Sequence, residues 1–258
     1  MALKTLRVET SDLITTITLN RPSARNSLNG ELMRELHATT EQLRGDEQTR
    51  VVILTGAGRV FSAGADLDML VRIGESFTPE QTRAEIREWR TTFDALESLP
   101  QATIAAVNGL TFGGGVVLAL ACDFRLASTR AIFGLPEIKL GMVLALGGTQ
   151  RLTRLVGPSV AKEMILRGRN VSAIEAQRLG LVHRISEPGD LMGLARSWAE
   201  RAVAYSPRAV ALAKQLIDES YDRTADESAE AETAAQVELL HSPEFLGRVQ
   251  VMKESGEI

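Results

Sequence analysis

Four consecutive apolar residues, Val51-Val52-Ile53-Leu54, constrain this chain more than any other feature. A strand that is apolar at every position has no face to offer water, so it belongs in a parallel sheet covered by helices on both sides. Two further short runs, at 103–107 and 124–127, repeat the theme, and segments with helical spacing lie between the runs. Buried strands alternating with helices define an α/β fold.

Other segments fit around that frame. Residues 12–19 alternate β-branched and apolar positions with period two and predict a strand. Leu32, Leu36 and Leu43 share one helical face and predict a helix ending near Arg44. Thr78-Pro79-Glu80-Gln81 supplies an N-cap, a Pro at N1 and a Gln at N3, ahead of Ile86, Trp89, Phe93 and Leu96 at helical spacing. Beyond Gly147 the pattern is mostly helical, with capping boxes at Ser172/Glu175 and Thr224/Glu227. A short strand at 181–185 is expected after the helix stop Gly180, and three helices over 207–254. We expect an α/β core over 1–200 and a helical region over 201–258 that serves oligomerisation and closes the pocket.

Composition narrows the function classes. A net charge of -4, with Lys and Arg scattered, offers no field for a nucleic-acid backbone. Cys122 is the single cysteine, so no internal disulfide forms, and no Cys cluster or tight His pair offers metal ligands. No stretch reaches the roughly 18 apolar residues of a membrane span, and residues 1–10 contain no long apolar run. These features predict a cytoplasmic protein with no metal, no membrane partner and no nucleic-acid partner.

Two glycine-bearing turns each follow a strand: Thr55-Gly56-Ala57-Gly58 leading to Phe61-Ser62-Ala63-Gly64-Ala65-Asp66, and Asn108-Gly109 leading to Gly113-Gly114-Gly115. Such glycines serve tight turns and close packing, and they also let backbone N–H groups converge on a ligand as an oxyanion hole. A dinucleotide fingerprint fails on spacing, since Phe61 stands where its third glycine belongs.

The motifs then become specific. Asn20-Arg21-Pro22…Asn26-Ser27-Leu28, Phe61 to Asp66 and Ala105-Ala106-Val107-Asn108-Gly109…Gly115 resemble signatures of the enoyl-CoA hydratase/isomerase (crotonase) superfamily. The resemblance continues through Phe133-Gly134-Leu135-Pro136-Glu137-Ile138-Lys139-Leu140-Gly141, Gly147-Gly148-Thr149-Gln150-Arg151-Leu152 and Ala176 to Val182. It implies a spiral of strand-strand-helix units with a C-terminal helical trimerisation region, assembling as a homotrimer or dimer of trimers. It also implies acyl-CoA thioester substrates, with no cofactor beyond the coenzyme A of the substrate itself. By motif position the oxyanion-hole N–H groups fall on Ala65 and Gly114. Coenzyme A would lie against Arg25, Ala63, Gly64, Ala65, Asp66, Leu67 and Asp68, with Gly114 at the thioester. An exposed arginine such as Arg25 is otherwise an ordinary surface charge.

Hydratases of this family carry two glutamates around one water, and the first lies two residues past the triple glycine. Val117 occupies that position, leaving Glu137 alone. One base suffices to shuttle a proton from C2 to C4 of a 3-enoyl thioester, so the expected activity is Δ3-Δ2-enoyl-CoA isomerisation in fatty acid metabolism. Val117 and Leu144 are expected to form an apolar pocket that tunes the Glu137 pKa. The segment Met142-Val143-Leu144-Ala145-Leu146, where many relatives have a proline-containing turn, is expected mainly to pack the core, with one or two residues shaping the acyl pocket. Hydratase (lyase), decarboxylase and hydrolase chemistry on the same scaffold stay open, as does a non-catalytic acyl-CoA-binding or RNA-binding role. His37, His183 and His241 lie outside the matched motifs.

Overall fold

The computed structural model describes residues 3–255, so the outermost residues of both expected segments, 1–2 and 256–258, lie outside the described residues. The chain opens with β1 (Leu6–Ser11) and β2 (Ile14–Leu19), then α1 (Gly30–Arg44) and β3 (Val51–Gly56). Next come β4 (Val60–Ser62), α2 (Leu67–Ser76), α3 (Pro79–Glu97), β5 (Ala102–Val107), β6 (Leu110–Phe112) and α4 (Gly114–Leu120). The third pass comprises β7 (Phe124–Ser128), β8 (Ile132–Gly134) and α5 (Gly148–Arg167). Then follow β9 (Asn170–Ser172), α6 (Ala173–Arg178), β10 (Arg184–Ser186), α7 (Leu191–Val203), α8 (Pro207–Glu219), α9 (Ala225–Leu240) and α10 (Pro243–Ser255). The strand-strand-helix repeat is therefore present, in the passes beginning at β3, β5 and β7.

Two sheets result. The larger runs β1-β2-β3-β5-β7-β10 and the smaller β4-β6-β8-β9. In the larger sheet only the β1/β2 pair is antiparallel. Alternation sorts β3 between two cores: Val52 and Leu54 join the main cluster with Leu32, Leu36, Phe93 and Leu118, while Val51 and Ile53 face α7. Small residues Ala195 and Ala199 let α7 sit close against that second face. Both faces being covered explains the unbroken apolar run.

Several expectations shift. Strand β1 is unforeseen from sequence, because the β1/β2 turn places Asp12 and Leu13 at φ 51 and 65 without the Gly or Asn that advertises such a hairpin. The strand expected at 181–185 begins only at Arg184, because the Leu181 and Val182 N–H groups both donate to the Ala176 carbonyl and close the end of α6. Ser172 caps α6, but Glu175 completes no capping box, its carboxylate being taken by Arg169 at 2.7 Å. The boxes at Thr78/Gln81 and Thr224/Glu227 are complete. Ile86 is exposed and lies off the buried face of Trp89, Phe93 and Leu96. The boundary expected at residue 200 falls inside α7, and the chain turns at 204–206 before three helices at the expected place.

Candidate active site

Strands β4, β6 and β8 are adjacent and parallel, with Val60 opposite Leu110 and Phe112 opposite Gly134. Their C-terminal ends therefore point the same way, and the chain leaves them as residues 63–66, Gly113-Gly114 and Leu135-Pro136-Glu137. A crevice at the carboxyl ends of parallel strands is where such sheets bind ligands. Motifs dozens of residues apart meet here because the short sheet stacks them.

Gly64, at φ 86, packs so tightly that an added Cβ would lie 2.6 Å from the Phe112 carbonyl oxygen and 3.3 Å from the Gly114 nitrogen. Only glycine permits that approach. The Ala65 nitrogen in turn lies 3.9 Å from where a Gly114 Cβ would stand. Gly114 opens α4, and neither its N–H nor that of Ala65 finds an acceptor among the described residues. Two neighbouring N–H groups of this kind, one at a helix N-terminus, can stabilise an anion.

Gly113, at φ 49, makes room for Glu137: an added Cβ would sit 2.5 Å from Glu137 Oε1. The carboxylate thus lies beside the first turn of α4. Glu137 Oε2 is buried without a hydrogen-bond partner. Burial pushes the Glu137 pKa above its ordinary value, opposed only by its own backbone N–H.

Val117 stands one turn along α4 from Gly113 and is buried. An added Cβ on Gly148 would meet Val117 Cγ2 at 2.5 Å and Leu144 Cγ at 2.9 Å, so these side chains close on one another across the start of α5. The position of a second carboxylate is an apolar wall. Leu144 is buried and Val143 exposed, so the 142–146 segment divides between core packing and surface.

The CoA-side residues are placed as follows. Arg25 is exposed at φ 51, and its carbonyl accepts from the Ala63 N–H at 3.0 Å. Leu67 and Asp68 are exposed at the start of α2, while Ala63 and Ala65 are half-buried. Asp66 turns inward: Oδ2 accepts from Ser27 Oγ at 2.9 Å and pairs with Arg21 at 3.4 Å. Burial works against its ionisation, yet the Ser27 hydroxyl, the Met69 backbone N–H and Arg21 together outweigh that and hold its pKa below the ordinary value.

Sequence reasoning assigned no role to Arg21, Ser27 or Arg151. Arg151 donates to the Leu146 carbonyl at 2.8 Å and pairs with Asp94 at 2.6 Å, tying the 142–147 loop to α3. The only local signal was its place in the Gly-Gly-Thr-Gln-Arg motif. His183 packs edge-on to Phe124 and accepts from the Arg125 N–H at 3.2 Å, with burial and Arg125 lowering its pKa. His37 lies on α1 and His241 at the C-terminal end of α9.

The family model described as enoyl-CoA hydratase/isomerase matches residues 9–256. The chain belongs to the enoyl-CoA hydratase/isomerase family. It is 41% identical over 219 residues to the short-chain-enoyl-CoA hydratase of Clostridium acetobutylicum, covering 84% of this chain and 82% of that protein. The crystal structure of an enoyl-CoA hydratase from Bacillus anthracis superposes with TM-score 0.92 at 39% identity, covering 98% of this chain and 97% of the other. An enoyl-CoA hydratase from Polaromonas sp. JS666 gives TM-score 0.91 at 29% identity, covering 97% of each. The α/β fold is thus the crotonase fold, and membership in this enzyme family implies acyl-CoA thioester substrates. No helix of the described residues is long and apolar enough to cross a membrane.

Proposed function

We propose that the enzyme shifts the double bond of a 3-enoyl-CoA to the 2-position, with Glu137 as its sole acid/base and Ala65 and Gly114 as oxyanion-hole donors. The thioester oxygen accepts from both N–H groups, which acidifies C2. The Glu137 carboxylate removes a C2 proton, and the electrons of that bond delocalise over the diene to the oxygen. The resulting carboxylic acid returns the proton to C4, leaving the double bond between C2 and C3 and the enzyme unchanged. Burial of Glu137 Oε2 without a partner suits this cycle, because a raised pKa makes the protonated intermediate accessible. Coenzyme A enters as part of the substrate, and we place it against Arg25, Ala63, Gly64, Ala65, Leu67 and Asp68, leaving out Asp66 because its carboxylate is turned onto Ser27 and Arg21.

The observation that carries this reading is the buried Val117–Leu144 wall where hydratases would hold a second carboxylate. Hydration is the second reading, favoured by the relatives' names, with one carboxylate activating water. Incubation with a 3-enoyl-CoA should give the 2-enoyl isomer, and Glu137→Gln should abolish it. Undiminished turnover by that variant would overturn the assignment. We assign the α8–α10 tail, which exposes Ile217, Val237 and Leu246, to contacts between copies.

A further inference from the structure

We infer that Asp66 is a positioning residue whose clamp with Ser27 and Arg21 aims the Ala65 N–H at the thioester oxygen. The inference rests on the reading of Ala65 as an oxyanion-hole donor and adds how that donor is held.

The Ala65 N–H belongs to the same peptide plane as the Gly64 carbonyl. In a trans peptide these two groups point in opposite directions. The Gly64 carbonyl accepts from the Leu28 N–H at 2.8 Å, so the Ala65 N–H is turned away from residue 28. The next peptide is fixed from the same side, because the Asp66 N–H donates to the Leu28 carbonyl at 2.9 Å. Leu28 thus brackets the donor, and the aim of the donor is only as firm as residue 28.

Residue 28 is held by its own side chain, buried in the main core, and by its neighbour Ser27. Ser27 Oγ donates to Asp66 Oδ2 at 2.9 Å, and the Ser27 carbonyl accepts from Arg21 Nη1 at 2.6 Å. Arg21 Nη1 also reaches Asp66 Oδ2 at 3.4 Å, closing a ring of three side chains around the two paired segments. Asn26 secures the far end: buried at φ 52, it donates from Nδ2 to the Ala57 and Val60 carbonyls at 3.0 and 2.7 Å. Asp66 alone joins both segments through a side chain while adjoining the donor residue. Its carboxylate faces the protein, which separates it from the exposed Leu67 and Asp68. An oxyanion hole acts by geometry fixed in advance, and a misplacement of about 1 Å costs about a hundredfold in rate.

The test reads the donor directly. An enoyl-CoA conjugated to an aryl group absorbs at longer wavelength when its carbonyl is polarised, and a Glu137→Gln background prevents turnover of this probe. In that background the bound probe should show a red shift, which Asp66→Ala should reduce at unchanged probe affinity. Without the background change, Asp66→Ala should lower kcat by about tenfold to a hundredfold with KM within about threefold. Ser27→Ala and Asp66→Asn should give smaller losses in the same order of readouts, and serve where Asp66→Ala does not fold. An undiminished red shift in folded variants with lower melting temperature would make the clamp purely structural and overturn the inference. A rise in KM and probe Kd with kcat and shift unchanged would make Asp66 a coenzyme A contact and overturn it equally. Absence of any shift in the Glu137→Gln parent, with the probe bound, would remove the donor reading itself and this inference with it.

Discussion

The two halves of the site are built on opposite principles. On the donor side the groups that hold the Ala65 peptide are paired: Asp66 with Ser27 and Arg21, Asn26 with two carbonyls, and Leu28 with both neighbouring peptides. On the base side Glu137 Oε2 is buried with no partner, close to an α4 face that continues into the apolar contact of Val117 and Leu144. A donor must not move and need not change charge, so its surroundings are satisfied and stiff. A base must exchange a proton, so its surroundings leave the carboxylate uncomfortable and the pKa high. Stability is given up on one side and spent on geometry on the other.

The comparison breaks most visibly at its two chemical groups. Glu137→Gln should lower turnover of a 3-enoyl-CoA by about two to four orders of magnitude, read from initial rates. Ala65→Pro should cost about two to three orders, because it deletes an N–H that finds no acceptor among the described residues. Survival of activity in the proline variant would move the oxyanion hole elsewhere.

The apolar wall is the next target. Val117→Glu buries a second carboxylate against Leu144, raising the pKa of both acids and lowering stability by about 2 to 3 kcal/mol in chemical denaturation. Hydration of a 2-enoyl-CoA should appear in this variant above the parent's background. Gly148→Ala presses a methyl group against Val117 and Leu144 and should cost about 1 to 3 kcal/mol through overpacking.

A smaller effect sharpens the contrast in pH. Burial raises the folded-state pKa of Glu137, so the fold favours its protonated form. The stability from this group is complete below the unfolded-state pKa and is lost as pH rises through the higher folded-state value. Glu137→Gln should therefore raise the melting temperature at pH 8 and lose that advantage near pH 4. For Asp66, whose folded-state pKa is lowered, the sign reverses: its contribution is present above the unfolded-state pKa and fades as pH falls through the folded-state value.

The same contrast governs what could be read from sequence. Strand β3 is legible as a continuous apolar run because it is buried on both faces; β5 and β7 are legible despite the buried polar residues Thr103 and Arg125, the latter satisfied by the Leu181 and Cys122 carbonyls. Strands β4, β6, β8 and β9 span three residues each, too few for a period, although β4, β6 and β8 hold the site. Helix α2 is hard to read from sequence because exposed Leu67 and Val71 stand beside its inward-facing Met69, Leu70 and Ile73. The catalytic roles of Glu137, Ala65 and Gly114 are proposed, and their neighbourhood was legible because motif position marks it. Arg21, Ser27 and Arg151 were not, because they act on carbonyls and carboxylates brought near only by the fold: Arg21 and Ser27 across to Asp66, Arg151 back onto Leu146.

The most direct test of the single-carboxylate account is turnover of a 3-enoyl-CoA in water enriched with oxygen-18, with products resolved by mass. The account predicts 2-enoyl-CoA as the main product, with negligible label at C3. Rapid formation of 3-hydroxyacyl-CoA carrying the heavy oxygen would contradict it, and would mean that Glu137 activates water without the second carboxylate.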